Sequence, residues 1–132
     1  MSPPAIAAFY AGLNALILIW LAIEVINQRR RSGVGLGDGG DEALNRAIRG
    51  HGNAVETIPI ALILLVLTEM LGAPALALHI LGIALTGGRL LHGLHFTGRA
   101  PAAFRGAGMG ATLLTMIILA IGLLILAAGR IF

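Results

Sequence analysis

Arg49, Asn53 and Glu56 stand at i, i+4 and i+7, and Arg89 and His92 at i and i+3. Side chains at such spacings share one face of a helix. Two guanidinium groups, a carboxylate, an amide and an imidazole on neighbouring helices suit a small hydrophilic anion that carries carboxylates and an amine. The surroundings make the cluster informative, because all five lie in long apolar stretches. An ionisable group in lipid costs several kcal/mol unless it is paired or hydrated. Hydrogen bonds that merely pack membrane helices contribute about 0.6 kcal/mol each on average. Five polar groups on two helices, joined by Arg105 further along, exceed that need, so a ligand site is favoured over a scaffold network.

The elements that must position these residues follow from the composition. Of 132 residues, 58% are hydrophobic and 11% charged, and the mean hydropathy is +0.93. A soluble domain carries about a quarter charged residues. The chain therefore reads as one all-α integral membrane domain, a four-helix bundle. Its four apolar stretches run over about 4–27, 41–71, 74–96 and 108–131, each long enough for the roughly 20 residues that a crossing requires. The second begins in amphipathic form at Asp41 and is apolar from Ala54.

Counting from the hairpin between the second and third spans, Glu56 and Arg89 lie at equal depth, about 25 Å from the turn at 1.5 Å per residue. Asn53 and His92 are matched in the same way. The sequence thus predicts the cross-helix pairs Glu56–Arg89 and Asn53–His92. Pro59, one turn beyond Glu56, removes a backbone donor; it either kinks the helix beside the polar face or is one of the prolines common in membrane helices. Glu24 and Asn27 lie at comparable depth in the first span, where Glu24 either pairs with a nearby arginine or snorkels to the interface. Glu69 and His79 flank the opposite turn and are expected to be solvated there.

Several functional classes are excluded. The chain has no cysteine, and so no disulfide, thiolate metal site or cysteine nucleophile; no metal is expected. It has no lysine and no basic stripe interleaved with aromatics, so no nucleic-acid partner is expected despite the pI of 11.1. Gly35-Leu-Gly37-Asp-Gly39-Gly40 fits G-x-G-x-x-G, yet it follows three arginines at a membrane edge rather than a strand, and reads as a flexible linker. Asp41 and Glu42 then suit the positive end of the next helix. A transporter for polar solutes is a weaker third reading, since it would need charges along the whole path whereas these gather toward one side; accessible charges deep in both halves of the bundle would revive it.

The charge distribution also predicts an orientation. Arg29, Arg30 and Arg31 follow the first span, and Arg99 and Arg105 lie between the third and fourth. The turn at Gly72-Ala-Pro74 and the N-terminal segment carry no basic residue. Positive loops stay in the cytoplasm, so both termini are expected outside and the polar cluster at the cytoplasmic side. The N-terminal stretch lacks the basic start of a signal peptide and is expected to be retained. Arginine in place of lysine, with abundant alanine, glycine and leucine, suggests a bacterial origin and hence the inner membrane.

Arg49-Gly-His-Gly-Asn53-Ala-Val-Glu56, followed by Pro59, resembles the R-x3-N-x2-E signature of the MAPEG family, the membrane-associated proteins of eicosanoid and glutathione metabolism. Arg89-Leu-Leu-His92 and Arg105-x2-Gly108-x3-Thr112 continue the likeness from about Asp41 to the C terminus. The resemblance implies a left-handed bundle assembled as a homotrimer, with glutathione as co-substrate between subunits. It implies that Arg49, Asn53 and Glu56 hold the carboxylate and amino groups of the peptide and that Arg89 and His92 complete the cradle. Arg105 matches the arginine near the thiol in catalytic members, where a guanidinium favours the thiolate over a thiol of ordinary pKa about 8.5. A lipophilic electrophile would then enter from the bilayer.

Phe96 departs from the pattern, because several eukaryotic members have tyrosine there; Gly106 stands where some carry serine. These differences disfavour prostaglandin or leukotriene chemistry. They leave open a general glutathione transferase or peroxidase and, alternatively, a non-catalytic protein that uses the cluster for binding or helix packing. Gly106, Gly108 and Gly110, with Ala107 and Ala111, form a small-residue edge in which Gly106-x3-Gly110 has the small-xxx-small spacing, which suits close packing either within the bundle or between copies.

Overall fold

A computed structural model describes residues 3–131. Four helices fill it: α1 (Ala5–Ser32), α2 (Glu42–Met70), α3 (Ala75–Phe96) and α4 (Ala102–Ile131). All four are long and apolar enough to cross a membrane, and helix is the form in which a single segment satisfies its own backbone in lipid. At 1.5 Å per residue they measure roughly 42, 43, 33 and 45 Å, against a hydrocarbon thickness of about 30 Å. α1, α2 and α4 therefore project beyond the apolar layer.

That projection changes two of the expected boundaries. α1 continues through Arg29, Arg30 and Arg31, which occupy its last turn. There the cations meet the negative end of the helix dipole. α4 starts at Ala102 rather than near residue 108, directly after Pro101, so Arg105 lies within its first turns. α2 runs unbroken through Pro59, an exposed residue.

Short connections make the helices alternate in direction. Around the bundle the order is α1, α2, α4, α3, with α2 and α3 also touching across the middle. Two apolar clusters fill the interior. One, toward the termini, holds Ala7, Tyr10, Leu65, Leu78 and Leu119; the other, toward the arginine-rich end, holds Ile17, Leu21, Ala54 and Ile58. Between them lies a polar layer in which Asn14 donates to the Thr86 hydroxyl at 2.9 Å and to the Tyr10 carbonyl at 2.9 Å. α3 and α4 meet most closely at Gly88 and Gly108. A methyl group on Gly108 would lie 2.5 Å from the Gly88 carbonyl oxygen and 2.7 Å from the His92 nitrogen. Gly106 and Gly110 contribute nothing to that contact, since a methyl on either would meet open space.

Candidate functional site

A cavity of about 620 Å³ opens at the arginine-rich end, among α2, α3, α4 and the α1–α2 loop. Its volume falls in the usual range for small-molecule sites, roughly 300–1,000 Å³. Four of the six site residues expected from the sequence line it: Arg49 and Asn53 from α2, His92 from α3 and Arg105 from α4. Their convergence follows from helix order, since α2 and α3 both pack against α4. Arg49 and Arg105 are exposed into this space, whereas His92 is 3% exposed.

Phe96 sets the position of the upper wall. Its ring lies against His92, with centroids 4.7 Å apart, and the Arg105 guanidinium sits over it at 5.6 Å. The ring fits because Gly50 of α2 has no Cβ to obstruct it. A cation over an aromatic face within about 6 Å is electrostatically attracted. Phe96, lacking the hydroxyl of a tyrosine, thus acts here through its π-face.

Arg89 lies beneath the cavity at 1% exposure. Its Nε–H donates to the Thr112 hydroxyl at 2.8 Å, and Nη1 donates to Asn53 Oδ1 and to the Thr57 hydroxyl, both at 2.9 Å. Nη2 approaches the sulfur of Met109 at 3.7 Å. Both threonines pass their own protons to helix carbonyls, Thr57 to Asn53 and Thr112 to Gly108. Each hydroxyl oxygen is thereby turned to accept. The buried cation is held by neutral acceptors from two flanking helices, without a carboxylate.

This arrangement corrects both predicted pairs. Arg89 does not meet Glu56, which is exposed on the outer side of α2. The core direction of that helix is set by Ala54 and Ile58. Glu56 lies two residues from each, about 200° of rotation, and so points away from the core. Thr57 occupies the place assigned to Glu56. Asn53 in turn gives its oxygen to Arg89, one turn deeper than His92. Thr57, Thr112 and Met109 were missed as partners; Thr57 was detectable as the residue one turn after Asn53.

The mouth of the cavity is formed by the α1–α2 loop and the start of α2, where Asp38, Asp41 and Glu42 line it. Asp41 caps α2 by accepting the Leu44 N–H at 2.8 Å. Asp38 accepts from the Asn45 side chain and from the Gly40 N–H. These bonds, the first above all, hold its carboxyl below the usual carboxylate range. Arg29 ties the loop to α1 by donating to the Gly37 carbonyl at 2.9 Å.

Other polar residues have structural partners. Glu24 pairs with Arg99 at 3.2 Å, an arginine of the α3–α4 connection rather than of its own helix. Glu69, expected to be solvated, accepts the N–H groups of Ile6 at 3.0 Å and Ala7 at 2.7 Å and so caps α1. Tyr10 bonds His79 at 3.0 Å, at the opposite end from the cavity.

The family model described as "MAPEG family" matches residues 7–125. Among curated proteins, the inner membrane protein YecN of Escherichia coli K12 is 46% identical over 107 residues, which is 81% of each chain. The YecN of Escherichia coli O6:H1 matches to the same extent.

Proposed function

The chain belongs to the MAPEG family, and from that premise we propose that it binds glutathione in the cavity at its arginine-rich end. It uses the bound peptide as a transferase or peroxidase acting on lipophilic electrophiles. The observation that carries this reading is the convergence of Arg49, Asn53, His92 and Arg105 on one volume. Arg49 and Arg105 supply the positive charge that carboxylates need, and guanidinium groups match carboxylates in a bidentate fashion. Arg89 plays a positioning part, holding Asn53 in place from below.

In the proposed mechanism Arg105 stabilises the sulfur anion. The thiol proton leaves to water, and the thiolate, which is the nucleophile, attacks an electrophile arriving from the lipid. The protein belongs in a bacterial inner membrane, with the cavity on the cytoplasmic side and both termini periplasmic. A homotrimer is supported by the outward carboxylate of Glu56 and by the uncovered Gly106 and Gly110. A carboxylate facing lipid within a span is costly, and a second copy would cover it.

Calorimetry with glutathione on detergent-purified protein tests binding, and thiolate absorbance on adding glutathione tests activation, with Arg105→Ala as control. Absence of binding overturns the ligand assignment. A bound thiol that titrates near its free value overturns the activated-thiol mechanism. Phe96, which has no hydroxyl to offer sulfur or substrate, favours a second reading, binding without turnover; a conjugation screen separates the two.

A further inference from the structure

A second cationic patch lies where α1 meets the α3–α4 connection, and neither Trp20, Arg31 nor Arg99, which build it, lines the cavity. Trp20 packs in the seam between α1 and α3, where Gly93 has no Cβ to obstruct its ring. The Arg99 guanidinium sits over that ring at 5.8 Å, and its Nη2 donates to Glu24 at 3.2 Å. Arg99 remains 51% exposed, and its other N–H groups have no acceptor among the described residues. Two turns beyond Glu24, about 10 Å along the axis at 1.5 Å per residue, Arg31 lies on the face of α1 that carries Trp20 and Glu24. It is exposed and makes no side-chain hydrogen bond among the described residues. Arg30 is exposed as well but is turned about 100° away around the helix. Trp20 is half-buried, and its indole N–H has no partner among the described residues. One turn further into the apolar layer, Leu16 of α1 and Leu90 of α3 are exposed.

From the end of the bundle inward, the seam thus offers free guanidinium groups, then an indole donor, then bare aliphatic surface. A phospholipid presents the complementary groups in the same order: phosphate, ester carbonyls and acyl chains. Guanidinium groups match phosphate oxygens in a bidentate fashion, and tryptophan, apolar apart from one donor, suits the level of the esters. We propose that an anionic phospholipid occupies the seam between α1 and α3 at the arginine-rich end. Arg31 and Arg99 hold its headgroup, Trp20 meets its ester region, and Leu16 and Leu90 carry its acyl chains. Glu24 fixes Arg99 from the inner side, so the rest of that guanidinium is presented to the headgroup. A zwitterionic lipid is disfavoured, because its ammonium would enter a surface already rich in cations. The inference concerns a surface outside the cavity and stands independently of the glutathione reading.

Native mass spectrometry of the full-length protein tests this, with the protein released from micelles that contain equal amounts of phosphatidylglycerol and phosphatidylethanolamine of identical acyl chains. Wild type is expected to retain phosphatidylglycerol about fivefold or more over phosphatidylethanolamine, the scale of one basic residue at an anionic surface. Arg31→Gln is expected to remove most of that preference. Arg30→Gln deletes the same charge from the adjacent position and is expected to change retention by less than about twofold, since it lies off the seam. Both arginines are exposed and free of hydrogen bonds, so neither variant threatens the fold. Excess inorganic phosphate is expected to leave the lipid adduct in place. Equal retention of the two lipids by wild type overturns the proposal. Equal losses from Arg30→Gln and Arg31→Gln also overturn it, because any charge at that depth would then serve. Displacement of the lipid by inorganic phosphate replaces it with a free-anion site. A protein that retains no lipid overturns it as well, and leaves the seam to a second copy of the chain.

Discussion

Thr112→Val isolates the bond that anchors the buried guanidinium. The substitution keeps the shape of the side chain and removes the acceptor of the Arg89 Nε–H, at 2.8 Å and 0% exposure. Water cannot easily replace it there. Interhelical hydrogen bonds in membrane proteins average about 0.6 kcal/mol and reach about 1.7, and bonds to charged groups lie at the upper end of any such range. A loss of about 1.5 kcal/mol is therefore expected, measured by reversible unfolding in mixed micelles. Thr57→Val, at a partly exposed position beside a second acceptor, Asn53, is expected to cost about half as much. The decisive measurement is a double-mutant cycle. In an Arg89→Met background the guanidinium is gone, and Thr112→Val should then cost no more than about 0.5 kcal/mol, the scatter of additivity. An equal cost in both backgrounds would refute the assignment, because the effect would arise from the Thr112–Gly108 contact alone.

Further outcomes follow from the same geometry. Glu56→Gln and Arg89→Gln should be additive to within about 0.5 kcal/mol, as expected of residues that do not touch; a larger coupling in the same unfolding assay would contradict the outward placement of Glu56. Gly108→Ala should destabilise by about 1–3 kcal/mol through overpacking against Gly88, whereas Gly106→Ala and Gly110→Ala should leave the fold's stability unchanged. Any effect of the latter two on self-association, read by sedimentation, would report a contact between copies. Glu69→Ala should cost about 1 kcal/mol, the usual scale of a lost helix cap, and speed hydrogen exchange at Ile6 and Ala7. Arg99→Ala should destabilise by about 1–3 kcal/mol, because Arg99 is 51% exposed but its partner Glu24 only 11%, and the buried carboxylate is left without its cation.

The bundle was legible because lipid imposes a length on each span, and the second and third predicted stretches match their helices to within one residue at both ends. The polar extensions were harder to read, since Arg29–Arg31 and the Ala102–Ala107 segment leave the apolar layer while remaining helical. For the site, depth was readable and rotation was not. Counting from the hairpin brought Arg89 level with the Asn53–Thr57 turn. Which side of α2 faced inward depended on Ala54 and Ile58, and in a chain apolar on nearly all sides those residues carry no contrast. A polar side chain marks the interior at Asn53 and fails to do so at Glu56. The acidic lining was missed because Asp41 and Glu42 also suit the helix N-terminus, and that local explanation was sufficient by itself.

The neutral setting of Arg89 has a consequence for how the chain enters its bilayer. Its acceptors belong to α2 and α4, so α3 on its own would present a bare cation to the acyl chains, at about 2.5–3.5 kcal/mol on translocon-insertion scales. α3 is also less apolar than α4 over its most apolar stretch, with a mean hydropathy of 1.4 against 2.7. It should therefore leave the translocon as half of a hairpin with α2, whose Asn53 and Thr57 receive the guanidinium first. The Thr112 bond would close only after α4 has emerged from the ribosome, making the last-synthesised helix the one that completes the buried layer.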